Sequence, residues 1–158
     1  MTSTYLSFTI YGELYAVQVE KVLEVLEKQE FTKVPNAPPV IMGILNFRGS
    51  AVPLYETRIK FNLPERTPDT GFVIVVIDLA VGNDTYHVGA IVDKVQDVIA
   101  LNDDEIKPVP PMSKEFNAEF LRGIVKRDNH FIMLIDVDKI FSSSEIKEIK
   151  HVSKKVNQ

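Results

Sequence analysis

Cysteine and tryptophan are absent from this 158-residue sequence. Without cysteine there is no disulfide, and there is no thiolate to act as a nucleophile or metal ligand. Long hydrophobic runs are also missing, since the longest, Phe72 to Ile77, falls far short of the roughly 20 residues of a membrane-spanning helix. The first residues show no basic segment followed by an apolar one, so no secretion signal is expected. The sequence therefore predicts a soluble, cytoplasmic protein with no segment inserted in a membrane.

The sequence also has no excess of basic over acidic residues. Lysine and arginine together number 18 against 22 aspartate and glutamate residues, which gives a formal net charge of −4. Proteins that bind nucleic acid usually present a basic face, and single-strand binders interleave basic with aromatic residues. Neither pattern occurs in the sequence, and the negative charge also argues mildly against binding to a membrane surface. Nucleic acid is therefore not an expected partner.

Residue sets that support catalysis or metal binding are missing too. Gly49-Ser50-Ala51 lacks the second glycine of a nucleophile elbow, and the glycines are scattered as in turns rather than gathered in a phosphate-binding loop. Asp136 and Asp138 make only a weak candidate for a metal site. The histidines have no metal-ligand spacing to one another or to a carboxylate cluster, and they are His87, His130 and His151. The sequence predicts no catalytic residue, no metal and no cofactor.

What the sequence does contain is a series of short β segments rich in valine and isoleucine. Tyr5–Ile10 and Leu14–Val19 alternate in polarity around the turn Tyr11-Gly12-Glu13, which predicts a hairpin. One helical turn is predicted near Glu20–Leu23, followed by a strand through Glu27. Further strands are predicted at about 42–47, 50–56, 72–79, 85–92, 94–101, 121–127 and 131–136. Strand after strand with closely spaced turns predicts an all-β barrel or sandwich.

Two regions interrupt or end this series. Pro64–Asp69 is predicted as a loop between two halves of the chain. Ser142–Val156 is polar with apolar residues at helical spacing, which predicts a C-terminal helix. Because Lys147 follows Ser144 at the third position, no capping box is expected at the start of this helix. The apolar residues at helical spacing are Ile146, Ile149 and Val152.

An internal repeat is visible at a separation of 80 residues. Tyr15-x-Val17 resembles Tyr86-x-Val88 near the start of each copy. A constant separation over the later part of each copy favours two copies of one small barrel, although β sequences also resemble one another through composition alone. The pairs at this separation are Gly43-Ile44 with Gly123-Ile124, Val52 with Ile132, Leu54 with Leu134 and Phe61 with Phe141.

The segment between the predicted strands 42–47 and 50–56 forms a candidate binding turn, Asn46-Phe47-Arg48-Gly49. Such a turn displays Arg48 instead of burying it. Asn46 is placed to orient the arginine, and Gly49 permits a positive φ. A guanidinium fixed in this way offers directed donors to the carboxylates or carbonyls of a partner. Glu24, on the charged side of its own segment, is most simply a solvated residue.

These residues carry a family resemblance. The run VPNAPPVIMGILNFRGSAVPLYETRIKF is similar to the signature of the CheW family of bacterial chemotaxis coupling proteins. Tyr15–Val25, Val88–Val98 and Leu134–Phe141 look like further segments of the family pattern, in the same order. The resemblance covers about Tyr5 to Ser142, which is nearly the whole chain.

The resemblance implies a fold of two SH3-like five-stranded β-barrels that pack together, with no catalysis and no cofactor. It predicts a single domain over 1–158. Within it, subdomain 1 spans about 14–68. Subdomain 2 spans about 70–141 and includes the N-terminal strand 5–12. The C-terminal helix covers about 142–156.

The resemblance also implies partners. It predicts an adaptor that links the cytoplasmic tip of a methyl-accepting chemoreceptor to the regulatory domain of the histidine kinase CheA, and that is recruited to membrane receptor arrays. Carried over position by position, the implied receptor-binding residues are Val22, Glu24, Arg48 and Gly89. The implied kinase-facing residues are Met42 and Ala51.

The chain departs from the family pattern at two places. Phe47 replaces the usual aliphatic residue of the turn motif, and Tyr55-Glu56 stands where the family commonly has an aliphatic residue and an aspartate. Two alternatives stay open at this point. The same fold could serve a different chemosensory-type kinase, in pilus motility or gene regulation, or it could be a small-barrel module that binds peptides.

Overall fold

The computed structural model describes residues 1–27, 29–109 and 119–156. Two helices are α1 (Thr57–Lys60) and α2 (Ser143–Val156), and single 3-10 turns occur at Val19–Lys21, Asp103–Glu105 and Val137–Lys139. The strands of the described part are β1 (Thr2–Ile10), β2 (Glu13–Gln18), β3 (Val22–Glu27), β4 (Ile41–Phe47), β5 (Ser50–Glu56), β6 (Val73–Val81), β7 (Asp84–Val92), β8 (Lys94–Asn102), β9 (Leu121–Arg127) and β10 (His130–Ile135).

The strands form two five-stranded sheets, and the predicted all-β fold class is thereby confirmed. Barrel 1 has the strand order β3-β6-β7-β5-β4, and barrel 2 has the order β8-β1-β2-β10-β9. The sheets divide the chain differently from the subdomains expected at 14–68 and 70–141. Strand β2 lies in barrel 2 rather than in the first subdomain, and strands β6 and β7 lie in barrel 1 rather than in the second.

The difference arises because the two halves of the chain exchange strands. Each half consists of a hairpin, β1–β2 or β6–β7, followed by three strands, β3–β5 or β8–β10. Each barrel combines the hairpin of one half with the three strands of the other. The halves meet through the parallel pairs β5 with β7 and β10 with β2, and through the antiparallel pairs β3 with β6 and β1 with β8. A repeat in the sequence identifies the two copies, but it does not say which copy supplies the neighbouring strand.

Two glycines of the repeat occupy equivalent places. A Cβ at Gly43 would lie 2.4 Å from the carbonyl oxygen of Thr32, and one at Gly123 would lie 2.8 Å from that of Lys107. Each of these neighbours forms a β-bridge to the residue after the glycine, Thr32 with Ile44 and Lys107 with Ile124. Only glycine permits this close approach of backbone to backbone. The shared geometry supports a duplicated barrel.

Among the described residues, the core has three parts. One cluster fills barrel 1 and includes Ile74 and Val76, and another fills barrel 2 and includes Tyr5. The largest cluster lies between the barrels and includes Val75 and Ile77. Strand β6 is therefore buried on both faces, which explains why its sequence is a continuous apolar run instead of an alternating one.

Helix α2 packs on strands β5 and β7 of barrel 1. Ile149 is fully buried in the cluster between the barrels, as its helical spacing suggested. The expectation that the helix lacks a capping box is wrong, because the box begins two residues before Ser144. The amide of Ser142 donates to Oε1 of Glu145 at 2.8 Å, and the amide of Glu145 donates to Oγ of Ser142 at 3.2 Å.

Candidate functional site

The candidate binding turn joins β4 to β5 with a positive φ at both central residues. Arg48 has a φ of 53° and Gly49 a φ of 84°, as in the type I′ turns that suit the twist of a hairpin. Oδ1 of Asn46 accepts a hydrogen bond from the amide of Gly49 at 3.0 Å. Asn46 therefore holds the turn itself, rather than the arginine side chain as the sequence suggested.

Two other groups orient the arginine. Nη2 of Arg48 donates to Oε2 of Glu24 at 2.8 Å, and the guanidinium lies 4.7 Å from the centre of the Phe47 ring. Phe47 is buried in barrel 1, so the ring gives the arginine a fixed support. The side chain of Arg48 is still 67% exposed. Glu24, expected as a simple solvated residue, instead pairs with the displayed arginine.

On the edge strand β3, the two sequence neighbours of Glu24 are exposed apolar residues. Leu23 is 37% exposed and Val25 is 40% exposed, one on each side of Glu24. Among the described residues, strand β3 ends the sheet order of barrel 1 and pairs only with β6. We call Leu23, Glu24, Val25 and Arg48 the β3 rim. It combines exposed apolar side chains, one held guanidinium and a strand edge, all of which favour binding to another protein.

The other two residues implied for receptor binding are less accessible. Val22 is partly buried and packs against the cluster between the barrels. Gly89 is buried, and a Cβ there would lie 2.4 Å from Cδ2 of Leu54. The structure therefore places Gly89 inside barrel 1, where its missing side chain makes room for Leu54.

The two residues implied for kinase binding do not form one exposed patch. Met42 is partly buried against the cluster inside barrel 1. Ala51 is 8% exposed and borders a small cavity near Tyr86 of β7 and Ser153 of α2.

A buried ionic network at the junction of the barrels was missed from the sequence. Asp93 lies between β7 of barrel 1 and β8 of barrel 2. It accepts hydrogen bonds from Arg58 at 3.1 and 2.7 Å and from the amide of Tyr11 at 2.9 Å, and it pairs with Arg66 at 2.8 Å. Arg66 also makes two 3.0 Å hydrogen bonds to Glu56, which is 2% exposed.

This network changes the acidity of its central carboxylate. Burial alone would raise the pKa of Asp93, but the hydrogen bonds from Arg58, the Tyr11 amide and Arg66, together with the charge of Arg66, bring it below its ordinary value. The carboxylate therefore stays ionised and holds four chain segments together. The sequence signal was weak, because Arg66 lies in a stretch that was predicted only as a loop.

A second ion pair occupies the equivalent place at the other crossing between the barrels. Its acidic and basic residues are exchanged relative to the pair Arg58–Asp93. Lys21, between β2 and β3, pairs with Asp138 at 2.7 Å, and Oδ1 of Asp138 accepts from the amide of Ala80 at 2.9 Å. Asp138 lies 80 residues after Arg58, which is the separation of the repeat. The two crossings between the barrels are thus fixed by equivalent contacts of opposite polarity.

Among the described residues, neither a metal-ligating cluster nor a membrane-spanning helix is found. Within residues 1–27, 29–109 and 119–156, no group of three or more histidine, aspartate or glutamate residues is placed to hold a metal ion. In the same ranges, no helix is long and apolar enough to cross a membrane.

Comparison with known proteins agrees with this geometry. The family model described as a CheW-like domain matches residues 4–145. The chain is 31% identical over 150 residues to the chemotaxis protein CheW of Klebsiella aerogenes, covering 95% of this chain and 88% of the relative. It is 31% identical over 135 residues to the chemotaxis protein CheW of Bacillus subtilis, covering 84% and 83%.

A solved structure gives the same result. The scaffolding protein TtCheW from Thermoanaerobacter tengcongensis superposes with a TM-score of 0.77 at 30% sequence identity, covering 90% of this chain and 89% of that one. The match extends over both barrels and is not limited to the turn motif. On the fold, the family model and these relatives together, the chain belongs to the CheW family of non-catalytic chemotaxis adaptor and scaffold proteins.

Proposed function

We propose that this protein couples the cytoplasmic tip of a methyl-accepting chemoreceptor to the regulatory domain of the histidine kinase CheA. In this role it is recruited to receptor arrays at the membrane and brings kinase activity under receptor control. The observation that carries the proposal is the β3 rim, where Glu24 and Phe47 hold the exposed guanidinium of Arg48 beside exposed Leu23 and Val25.

The rim is suited to a helical partner. A helix laid on a surface needs apolar contacts at intervals and a few polar anchors that fix its register. Leu23 and Val25 supply the apolar contacts, and Arg48 supplies a polar anchor. Because its guanidinium is already oriented, little side-chain entropy is lost when it donates to a carboxylate or carbonyl of the receptor.

The remaining implied residues contribute indirectly in this proposal. Val22 anchors β3 by packing against the cluster between the barrels. Gly89 leaves room for the side chain of Leu54 inside barrel 1. Met42 and Ala51 are proposed to shape the kinase-facing surface, since both are largely covered by their own barrel. Individual contacts of this kind are each worth about 0.5–3 kcal/mol, so function depends on several contacts acting together in an assembly.

The test is kinase autophosphorylation in receptor-bearing membranes, with and without this protein. We expect stimulation that requires receptor, kinase and adaptor together and that falls in Arg48→Ala. Arg122→Ala is the matched control, because Arg122 is an exposed arginine of barrel 2 outside the rim. Unchanged stimulation in Arg48→Ala would contradict the role of the rim. A folded protein that never stimulates a cognate kinase would contradict the coupling role and favour a scaffold for another kinase pathway.

A further inference from the structure

Phe47 is the residue at which the β3 rim meets the core of barrel 1. It ends strand β4 and comes directly before Arg48. Its side chain is 7% exposed and belongs to the cluster inside the barrel. The guanidinium carbon of Arg48 lies 4.7 Å from the centre of its ring. One buried side chain therefore contacts both a packed core and a displayed cation.

The duplicated barrel shows that the turn itself does not need an aromatic residue at this place. Arg127 stands 80 residues after Phe47, and it ends strand β9 as Phe47 ends β4. The turn after Arg127 also has a positive φ at both central residues, 48° at Asp128 and 67° at Asn129. A turn of the same form thus follows an arginine in barrel 2, so the ring of Phe47 is not a requirement of the turn.

Glu24 and Phe47 restrain the guanidinium in different ways. Glu24 accepts a hydrogen bond from Nη2 of Arg48 at 2.8 Å, but the glutamate side chain is itself 38% exposed. An exposed ion pair of this kind is weak and is screened by salt. The ring offers its face to the cation, and packing inside barrel 1 holds that ring in place. The ring is therefore the firmer of the two supports.

We propose that Phe47 is a positioning residue for Arg48 and that its aromatic ring sets the affinity of the β3 rim for the receptor. The proposal rests on the proposed coupling function, since the receptor is the partner named there. A guanidinium has five N–H donors. With its face held on the ring, the donors that Glu24 does not use point in a fixed direction, and less side-chain freedom is lost when the receptor binds.

The first test measures Arg48 in the free protein. Nuclear spin relaxation of its Nε–Hε group gives an order parameter for the side chain. We expect a higher value than for Arg122, an exposed arginine of barrel 2, and we expect Phe47→Leu to lower it toward that of Arg122. The difference should persist in about 1 M salt, where the pair with Glu24 is screened. An order parameter that is the same in Phe47→Leu and in the unmodified protein would overturn the positioning role.

The second test measures binding to receptor-bearing membranes by co-sedimentation, without kinase. Leucine keeps an apolar side chain in the cluster but has no aromatic face. Phe47→Leu should therefore weaken binding about twofold to fivefold, the effect of losing one exposed cation–π contact. Phe47→Tyr keeps the face and should bind like the unmodified protein. Equal affinity in Phe47→Leu and the unmodified protein would overturn the proposal.

A matched variant separates the ring's contact with Arg48 from its packing in the core. Phe31 packs against the same cluster, but it lies beside Gly43, away from the end of β4 that carries Arg48. Phe31→Leu should lower the midpoint of urea unfolding as Phe47→Leu does, yet leave the receptor affinity unchanged. An equal loss of affinity in the two variants would overturn the proposal, because it would show that any loosening of this core weakens binding.

A double-mutant cycle gives the sharpest result. If the ring acts through the arginine, Phe47→Leu should cause no further loss of receptor affinity in an Arg48→Ala background. The same loss in both backgrounds would show that the ring acts through the barrel, which would overturn the proposal. Absence of receptor binding by the unmodified protein would instead overturn the coupling function. The relaxation measurement needs no partner, so the two failures are distinguishable.

Discussion

Arg58 donates two hydrogen bonds to Asp93, at 3.1 and 2.7 Å, at the place where the chain leaves barrel 1 for barrel 2. Both side chains are mostly buried, with 9% and 15% of their surface exposed. An ion pair in this setting is strongly disrupted when one partner is removed, because the other is left as an uncompensated buried charge. The contact therefore contributes to how the two barrels are oriented.

The stability of the protein should depend on pH through Asp93. Its pKa is lowered in the folded state, so the stabilisation is complete above the ordinary carboxyl pKa of about 3.9 and is lost as the pH falls through the lower folded-state value. We expect Asp93→Asn to lower the free energy of unfolding by about 3 kcal/mol at neutral pH and to flatten its decline in acid. Urea unfolding measured between about pH 2 and pH 7 checks both. Asp69→Asn, in the exposed loop, is the control, and equal pH profiles for Asp93→Asn and the unmodified protein would contradict this assignment.

The turn of the β3 rim should depend on glycine at position 49. Gly49 has a φ of 84°, and a Cβ built there would meet no atom within 4 Å. Any loss of stability in a variant at this position would therefore come from backbone strain and not from a clash. Gly49→Val should lower the free energy of unfolding by about 1–3 kcal/mol. Gly71→Val is the matched control, because Gly71 has open space and no positive φ. Similar losses in the two variants would show that the left-handed conformation is not what position 49 requires.

Arg48 should matter little for folding. It forms an exposed ion pair with Glu24, and such pairs typically contribute about 0.2–1 kcal/mol. We expect Arg48→Ala to unfold cooperatively within about 1 kcal/mol of the unmodified protein. A double-mutant cycle with Glu24→Gln should give a coupling free energy in the same range. Loss of the cooperative transition in Arg48→Ala would mean that the arginine is structural and that its effect on coupling is secondary.

The C-terminal helix should be anchored by one residue. Ile149 is fully buried between the barrels, and truncation of such a side chain typically costs about 2–5 kcal/mol. Ile149→Ala should therefore lower the midpoint of thermal unfolding, with early loss of helical circular dichroism if α2 detaches first. Lys147→Ala, at an exposed position on the same helix, should change little. An unaffected midpoint in Ile149→Ala would show that α2 docks without this contact.

Much of the fold could be predicted because its signals are local. Alternating polarity located the strands, and the spacing of Ile149 and its neighbours located the C-terminal helix. The 80-residue separation of Gly43 and Gly123 indicated the duplication. The strand exchange could not be predicted, because two similar copies offer each hairpin two similar sets of neighbours, and only packing at the junction chooses between them.

The candidate site was predictable in position more than in mechanism. The turn residues Asn46 and Gly49 around Arg48 predicted that the arginine would be exposed. Of the two groups that hold this arginine, Phe47 is its neighbour in the chain, but Glu24 reaches it only because β3 lies beside the turn, which sequence spacing does not encode. Gly89 was implied for receptor binding by the family resemblance alone; it is buried in the structure, and a glycine gives no polarity signal to tell a surface position from a place of tight packing.

The exchange of strands has a consequence for how this molecule could arise and be engineered. A cut in the segment between β5 and β6 would leave neither barrel complete, because barrel 1 needs β6 and β7 and barrel 2 needs β8, β9 and β10. Neither half could then fold alone or be transplanted as a module. Two separately expressed fragments should instead reassemble with each other, since each supplies the strands that the other lacks.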